Sequence, residues 1–197
     1  MKTTEWKRLT TPLLIPKYSW AFKQNLCYRV PVATVLLGVL AEGSSFDKGV
    51  YIWQVTMPLF VPADFLYLSW SERVGGGARK YRLEDPESLT SAVKTAMEVG
   101  DEATALTRIV NRGMKLLPAP ETDEVLAYAL TLLGRKAEAN EILERAIGRA
   151  GVGGEDQLMK RLIEFSGLLR SQGQEAAIQL LHQWARLTKN SLKLETQ

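Results

Sequence analysis

The sequence predicts an α+β protein: an N-terminal helix and an antiparallel β-sheet, followed by an all-α region of helical hairpins. Three observations support this prediction. Large side chains alternate with smaller ones in the first half, apolar residues recur every three or four positions in the second, and 13 of the 16 aromatic residues lie within positions 1–81. Of the 197 residues, 46% are hydrophobic and 24% are charged, which is the composition of a globular chain rather than a disordered one.

The charges divide along the chain in the same way as the aromatic residues. Residues 1–83 carry a net charge of +6, and residues 84–197 carry a net charge of −3. Three consecutive glycines at 75–77 and the helix-start signal Asp85-Pro86 lie close to this change. We therefore predict an aromatic-rich basic domain over 1–83 and a helical domain over 84–197.

The first element is predicted to be a helix, because Trp6, Leu9 and Leu13 recur at helical spacing and Pro16 ends the pattern. Strands follow, since apolar and aromatic runs are separated by proline or glycine, and their short connections favour an antiparallel sheet. The predicted strands cover residues 18–22, 26–30, 34–41, 50–57 and 65–70. A helix over 32–42 is the alternative for the third run, because so short an apolar run has no decisive periodicity.

Amphipathic helices are predicted throughout the second half. The clearest apolar stripes lie within residues 89–97, 106–113, 139–146 and 177–184. Asp85 before Pro86 predicts one helix N-cap, and residues 121–123 predict another. We expect the sheet to pack against the first of these helices near Leu89 and Val93, because the end of a short helical array needs a cap.

Three similar segments begin at Gly100, Gly134 and Gly173, and each lies between two predicted helices. Their spacings are 34 and 39 residues, which is the range found in stacked helical hairpins. A glycine at the same place in each segment is typical of a tight turn between helices. The spacing therefore predicts an internal repeat.

The middle segment resembles the tetratricopeptide repeat family. Leu126 and Ala127 match the leucine and the small residue of that family's first helix, Gly134 matches the turn, and Ala139 and Ala146 match the two small positions of the second helix. The resemblance implies that residues 86–189 form degenerate repeats, without the family's Trp and Tyr signature, whose concave groove binds a protein. An ordinary bundle of six helices is the alternative.

Few residues suit catalysis or metal binding. His182 is the only histidine and Cys27 the only cysteine, and each lies in a predicted helix or strand without an evident proton partner. Zinc sites need several such ligands at short spacing. The glycine runs at 75–77 and 151–154 lack the strand–loop–helix context of a phosphate-binding loop. We therefore predict no catalytic residue, no metal site and no cofactor.

Two segments are candidates for binding a partner. The first is a predicted loop on the sheet, where acidic residues flank a short polar turn that presents an aromatic ring. Its residues are Glu42, Ser44, Ser45, Phe46 and Asp47. The second is the basic cluster of Arg73, Arg79, Lys80 and Arg82. The alternatives are a plain hairpin turn for the loop and docking onto the acidic helical half for the basic cluster.

These observations favour a non-catalytic protein–protein interaction module, such as a bacterial adaptor or regulatory binder of a protein partner. A narrower hypothesis is an immunity protein or antitoxin that occludes a toxin, with the loop at 42–47 as the plug. The first domain also allows nucleic-acid binding by its basic and aromatic residues. A small hydrolase or transferase that uses Glu42, Asp47 or Arg29 is the remaining hypothesis.

We expect a cytoplasmic protein with no membrane partner. The sequence has a single cysteine, no apolar segment near its first residue, and no apolar run close to the roughly 20 residues that span a bilayer. Self-association through the last helix is a further expectation, because the apolar surface around Trp184 and Leu187 has no predicted cap.

Overall fold

The computed structural model describes residues 1–45, 47–153 and 156–194, and its fold is α+β, as predicted. The chain divides into two units. Unit 1 comprises Met1–Met57, Ala63–Gly100 and Lys189–Gln197, and unit 2 comprises Pro58–Pro62 and Asp101–Thr188. None of the described helices is both long and apolar enough to cross a membrane.

Unit 1 is built on an antiparallel sheet. Within the described residues its strands are β1 (Ser19–Lys23), β2 (Leu26–Val30), β3 (Val35–Gly43), β4 (Gly49–Pro58), β5 (Glu72–Arg73) and β6 (Tyr81–Arg82). Their order in space is β1-β2-β3-β4-β5, and β6 also pairs with β4. Four of the predicted strands are confirmed. The third run is a strand and not the alternative helix, and its residues 35–39 are buried in succession, as expected for a strand covered on both faces.

The prediction of a strand over 65–70 is wrong. These residues form an irregular connection in which Phe65 is 65% exposed and its ring meets that of Tyr67 edge-on, with centroids 6.4 Å apart. Aromatic residues favour strands by propensity. Here, however, the two-residue strands β5 and β6 pair with β4 at the end of the sheet, so residues 65–70 have no strand to join.

Two helices of unit 1, α1 (Thr3–Thr10) and α2 (Pro86–Met97), share a buried core with β3 and β4. The core includes Trp6, Val39, Ile52, Leu89 and Val93. This confirms the expected packing of the sheet near Leu89 and Val93. Because α2 packs on the sheet, the division between the units follows Gly100 and not residue 83, where we predicted the domain boundary.

The close approach of β2 and β3 requires glycine at position 38. A Cβ atom at Gly38 would lie 2.9 Å from the Cα of Tyr28 and closer still to the carbonyl oxygen of Cys27. We therefore expect Gly38→Ala to lower the free energy of unfolding by about 1–3 kcal/mol, measured by chemical denaturation. Gly43→Ala, in the same strand, is the control, because a Cβ there meets nothing within 4 Å. Equal stability of the two variants would contradict this account of the strand pair.

Unit 2 contains the remaining helices. They are α3 (Glu102–Gly113), α4 (Pro120–Leu132), α5 (Lys136–Gly153), α6 (Asp156–Ser171) and α7 (Gln174–Ser191), the last of which ends in residues grouped with unit 1. Its core includes four aromatic rings, those of Phe60, Tyr128, Phe165 and Trp184. The ring of Tyr128 lies at their centre, with centroids 4.4 Å from Phe165 and 5.5 Å from Trp184.

The three glycines of the predicted repeat all have left-handed backbones. The φ angles of Gly100, Gly134 and Gly173 are 73°, 79° and 90°, and each glycine lies just before a helix. At the second of them, the N–H of Arg135 donates to the carbonyl of Leu130 at 2.9 Å, which closes the end of α4. The glycine spacing therefore marks helix–helix turns, while membership of the tetratricopeptide family stays a prediction.

One of the two predicted N-caps is present. Asp85 accepts a hydrogen bond from the N–H of Ser88 at 3.1 Å, which confirms the cap of α2. The cap predicted at 121–123 is wrong, because α4 already begins at Pro120 and receives no side-chain cap. The acidic residues of this segment lie inside the helix, and Asp123 is buried.

Two adjacent buried carboxylates on α4 each bind arginine. Asp123 accepts hydrogen bonds from Arg145 at 2.6 and 3.0 Å and from Arg149 at 2.5 Å. Glu124 accepts two from Arg161, at 2.7 and 3.0 Å. The arginines belong to α5 and α6, so these ion pairs join three helices of unit 2.

Candidate functional site

The acidic loop and the basic cluster of the sequence prediction meet in unit 1. The carboxylate of Glu42 lies 3.5 Å from the guanidinium of Arg73, and that of Asp47 lies 2.9 Å from the ammonium of Lys80. Glu42 lies near the end of β3, and Asp47 lies in the connection from β3 to β4. The basic cluster lies on β5 and β6 and between them, so the sheet brings the two segments together. The acidic partner of the basic cluster is therefore this loop, at least for Arg73 and Lys80.

Neighbouring hydrogen-bond donors hold Asp47 in its ionised form. It accepts hydrogen bonds from Lys80 and from the N–H of Gly49, each at 2.9 Å. These hydrogen bonds, the one from Lys80 above all, lower the pKa of Asp47 to about 2. The carboxylate stays ionised under all physiological conditions, so it cannot act as a general acid there.

Two aromatic residues that the sequence analysis did not select complete the arrangement. The guanidinium of Arg73 lies 4.0 Å from the ring centroid of Tyr51 and 4.6 Å from that of Trp53. The indole N–H of Trp53 donates to Glu42 at 2.8 Å. The arrangement follows from register, because Trp53 on β4 stands opposite Arg73 on β5.

The signal for these aromatic residues was present in the alternation of β4. Val50 and Ile52 are buried in the core shared with the helices, so Tyr51 and Trp53, which alternate with them, must point to the other face of the sheet. We call the whole group the ionic–aromatic patch, and its members are Glu42, Asp47, Tyr51, Trp53, Arg73 and Lys80. Its carboxylates are accessible, with side-chain exposures of 45% for Glu42 and 52% for Asp47.

The other predicted site residues lie beside the patch. The guanidinium of Arg79 lies 5.4 Å from the ring centroid of Tyr81, and Arg82 is exposed opposite Gly49. The backbone N–H of Ser44 donates to the carbonyl of Gly49 at 2.9 Å, which closes the turn, and Ser45 is exposed. Phe46 lies outside the described residues.

A cavity of about 440 Å³ adjoins the patch in unit 1, and we call it the turn cavity. It is lined by the β1–β2 turn and its flanking residues, the end of β3, residues 64–66, and residues 191, 192 and 194. Its volume is within the range of small-ligand sites. Glu42 lines the cavity and is also a member of the patch, so the two are continuous.

Cys27, His182 and Arg29 were the other residues considered for catalysis. Burial raises the pKa of the Cys27 thiol to about 12, which leaves it protonated and unreactive. His182 is exposed on α7 of unit 2. The guanidinium of Arg29 lies 3.6 Å from the ring centroid of Tyr18. It donates to the carbonyl of Met97, at the end of α2, at 3.2 Å, and to the carbonyl of Gly100. Among the described residues no group of three or more His, Cys, Asp or Glu side chains is arranged to hold a metal ion.

The patch and the turn cavity therefore offer aromatic faces, paired charges and an apolar recess, which are groups suited to binding. No protein-family model, no curated protein and no solved structure matches the chain.

Proposed function

We propose that the protein is a non-catalytic binding module for a protein partner, and that the ionic–aromatic patch is its contact surface. The observation that carries the proposal is the stack of Tyr51, Arg73 and Trp53 on the accessible face of β4. Tyrosine, tryptophan and arginine are the residue types that most often dominate the energy of protein interfaces. Accessible carboxylates beside them are typical of the polar rim that surrounds such residues.

The patch is held in place before any partner arrives. Glu42 accepts a hydrogen bond from the indole N–H of Trp53 and forms an ion pair with Arg73. The guanidinium of Arg73 also lies over the rings of Tyr51 and Trp53. Side chains that are already ordered lose little rotamer freedom on binding, so more of the contact energy appears as affinity. Such pre-organisation supports a binding role for the surface.

The balance of charge favours a protein over a nucleic acid as the partner. Arg73 and Lys80, two of the four predicted basic residues, are paired with carboxylates of the same unit. Nucleic-acid binding depends on cations that replace the counterions of phosphates, and an arginine or lysine already paired with a carboxylate contributes less.

The reduced reactivity of Cys27 favours a binding function over thiol chemistry. We place this function in the cytoplasm, in keeping with a single buried cysteine.

Capture of a partner from cells of the source organism tests the proposal. The wild-type protein should retain a protein in stoichiometric amount, and Trp53→Ala should weaken its binding by about 30-fold, as expected for a central aromatic residue. Ile163→Ala is the control, because Ile163 is an exposed large apolar side chain outside the patch, on α6 in unit 2. Binding affinities are measured by titration once the captured protein is purified. If Trp53→Ala and the wild-type protein bound the partner with equal affinity, the ionic–aromatic patch would not be the contact surface.

A further inference from the structure

The turn cavity combines an apolar floor with carboxylates. Leu26 on β2 and Leu40 on β3 stand opposite each other in the sheet and line the cavity, together with Leu192. Glu42 and Asp64 line it as well. A recess of this kind suits a ligand with an aliphatic stem and a polar, positively charged head.

The carboxylates have unused hydrogen-bonding capacity. Both contacts of Glu42, to Trp53 and to Arg73, use the oxygen Oε2. Its second oxygen, Oε1, and both oxygens of Asp64 contact no donor among the described residues. A carboxylate can accept several hydrogen bonds, and those from a cation are the strongest.

The cations near the cavity are already engaged. The ammonium of Lys23, which lines the cavity, donates to the carbonyl of Leu192. The guanidinium of Arg73 lies over the rings of Tyr51 and Trp53, and Arg73 is not part of the lining. The charged residues of the lining are Lys23, Glu42 and Asp64, so the cavity has a net negative charge and complements a cation.

The groups that surround Arg73 in unit 1 are of the same kinds as those that line the turn cavity. Arg73 is held by aromatic rings and by the carboxylate of Glu42. The turn cavity presents the exposed ring of Phe65, the carboxylate of Asp64 and the free oxygen of Glu42. An aromatic face and a carboxylate together are what a guanidinium prefers, since it stacks on the ring while it donates to the oxygens.

We propose that the turn cavity receives a basic side chain of the protein partner, an arginine for preference. Its aliphatic stem lies on Leu26 and Leu40, and its guanidinium donates to Asp64 and to Oε1 of Glu42. This inference rests on the proposed binding function, and it adds the kind of residue that the partner must present beside the ionic–aromatic patch.

Titration of the full-length protein with small probes, followed by nuclear magnetic resonance, tests the proposal without the partner. Nα-acetyl-arginine methylamide should bind at millimolar concentration, with shifts confined to residues around the cavity. The citrulline counterpart has the same shape without the charge, and it should bind about tenfold more weakly. Asp64→Asn and Glu42→Gln should each weaken binding of the arginine probe by a similar factor, whereas Glu98→Gln, at an exposed position just after α2, should not.

Four results would overturn the proposal: no binding of the arginine probe, equal binding of the citrulline probe, no effect of Asp64→Asn, or tighter binding of agmatine than of the arginine probe. Agmatine carries the same guanidinium on an alkyl chain that ends in an amine. It distinguishes a small-molecule ligand from an arginine side chain of a protein partner. If agmatine binds more tightly than the blocked arginine, the cavity is a site for a small amine and not for a partner's side chain. Loss of the cavity site would leave the Trp53→Ala result standing, so the two proposals can fail separately.

Discussion

We expect Arg161→Met to lower the free energy of unfolding by about 3–5 kcal/mol at neutral pH, because it leaves a buried carboxylate without its counterion. Glu124 is buried, and Arg161 supplies two of its hydrogen bonds, at 2.7 and 3.0 Å. The hydroxyl of Tyr128 supplies another at 3.1 Å. Methionine keeps most of the volume of the arginine stem, so the loss reports the charge and its hydrogen bonds more than packing.

This loss should depend on pH. Burial raises the pKa of Glu124 above its ordinary value of 4.5, and the hydrogen bond from Arg161 opposes that rise. The folded protein therefore holds this proton more tightly than the unfolded chain does, so stability from this group is highest at acidic pH and is lost as the pH rises. Without the guanidinium the pKa rises further, and Arg161→Met should be more destabilising at pH 7 than near the ordinary pKa of 4.5.

Arg170→Met is the matched control for this prediction. Arg170 lies on the same helix, α6, and pairs with Glu144 at 3.0 Å, but their side chains are 58% and 68% exposed. An exposed pair of this kind contributes about 0–1 kcal/mol. Urea unfolding of both variants at neutral and acidic pH is the measurement. A similar cost for the two substitutions, or a larger loss for Arg161→Met in acid, would contradict the assigned role of Glu124.

Phe165→Ala should lower the free energy of unfolding by about 3–5 kcal/mol, the range for removing a buried phenylalanine. The side chain is fully buried, and its ring centroid lies 4.4 Å from that of Tyr128 and 6.4 Å from that of Trp184. The substitution removes apolar burial and two aromatic contacts, and it leaves a cavity among three helices. Chemical denaturation, with far-UV circular dichroism as the readout, measures the effect.

Phe65→Ala provides the comparison, since the same atoms are removed from a side chain that is largely exposed. Its effect on the free energy of unfolding should stay within about 0.5 kcal/mol. If Phe165→Ala were tolerated as well as Phe65→Ala, the aromatic cluster would not be the core of unit 2. Phe65→Ala also provides an independent variant for the arginine probe, because Phe65 lines the turn cavity.

Local patterns in the sequence determined most of the helices and strands. Alternation and helical periodicity located four strands and the helices of both units, because side chains on regular backbones repeat with those periods. The glycine spacing located three left-handed turns for an equally local reason: Gly100, Gly134 and Gly173 adopt backbones that other residues rarely do. The composition of residues 65–70 led to the wrong prediction of a strand, because strand propensity produces a strand only where a neighbouring strand is available for pairing.

The candidate site could be predicted only in part. The acidic loop and the basic cluster were each visible as short runs, but their pairing depends on which strands lie together. Tyr51 and Trp53 could have been selected from their alternation with Val50 and Ile52, once β4 was known to have one face buried. No local pattern marks Asp64 or Phe65, because the turn cavity gathers residues from four distant segments.

The sequence alone determined the α+β class, the type of most elements and the positions of their turns, since these depend on neighbouring residues. Only the tertiary structure decided which charges are paired. Glu42 meets Arg73, and Glu124 meets Arg161, 31 and 37 positions along the chain. It also decided that α2 belongs with the sheet, through the burial of Leu89 and Val93. Such contacts depend on burial and on the distance between elements in space. Neither quantity can be determined from the residues that neighbour each position in the sequence.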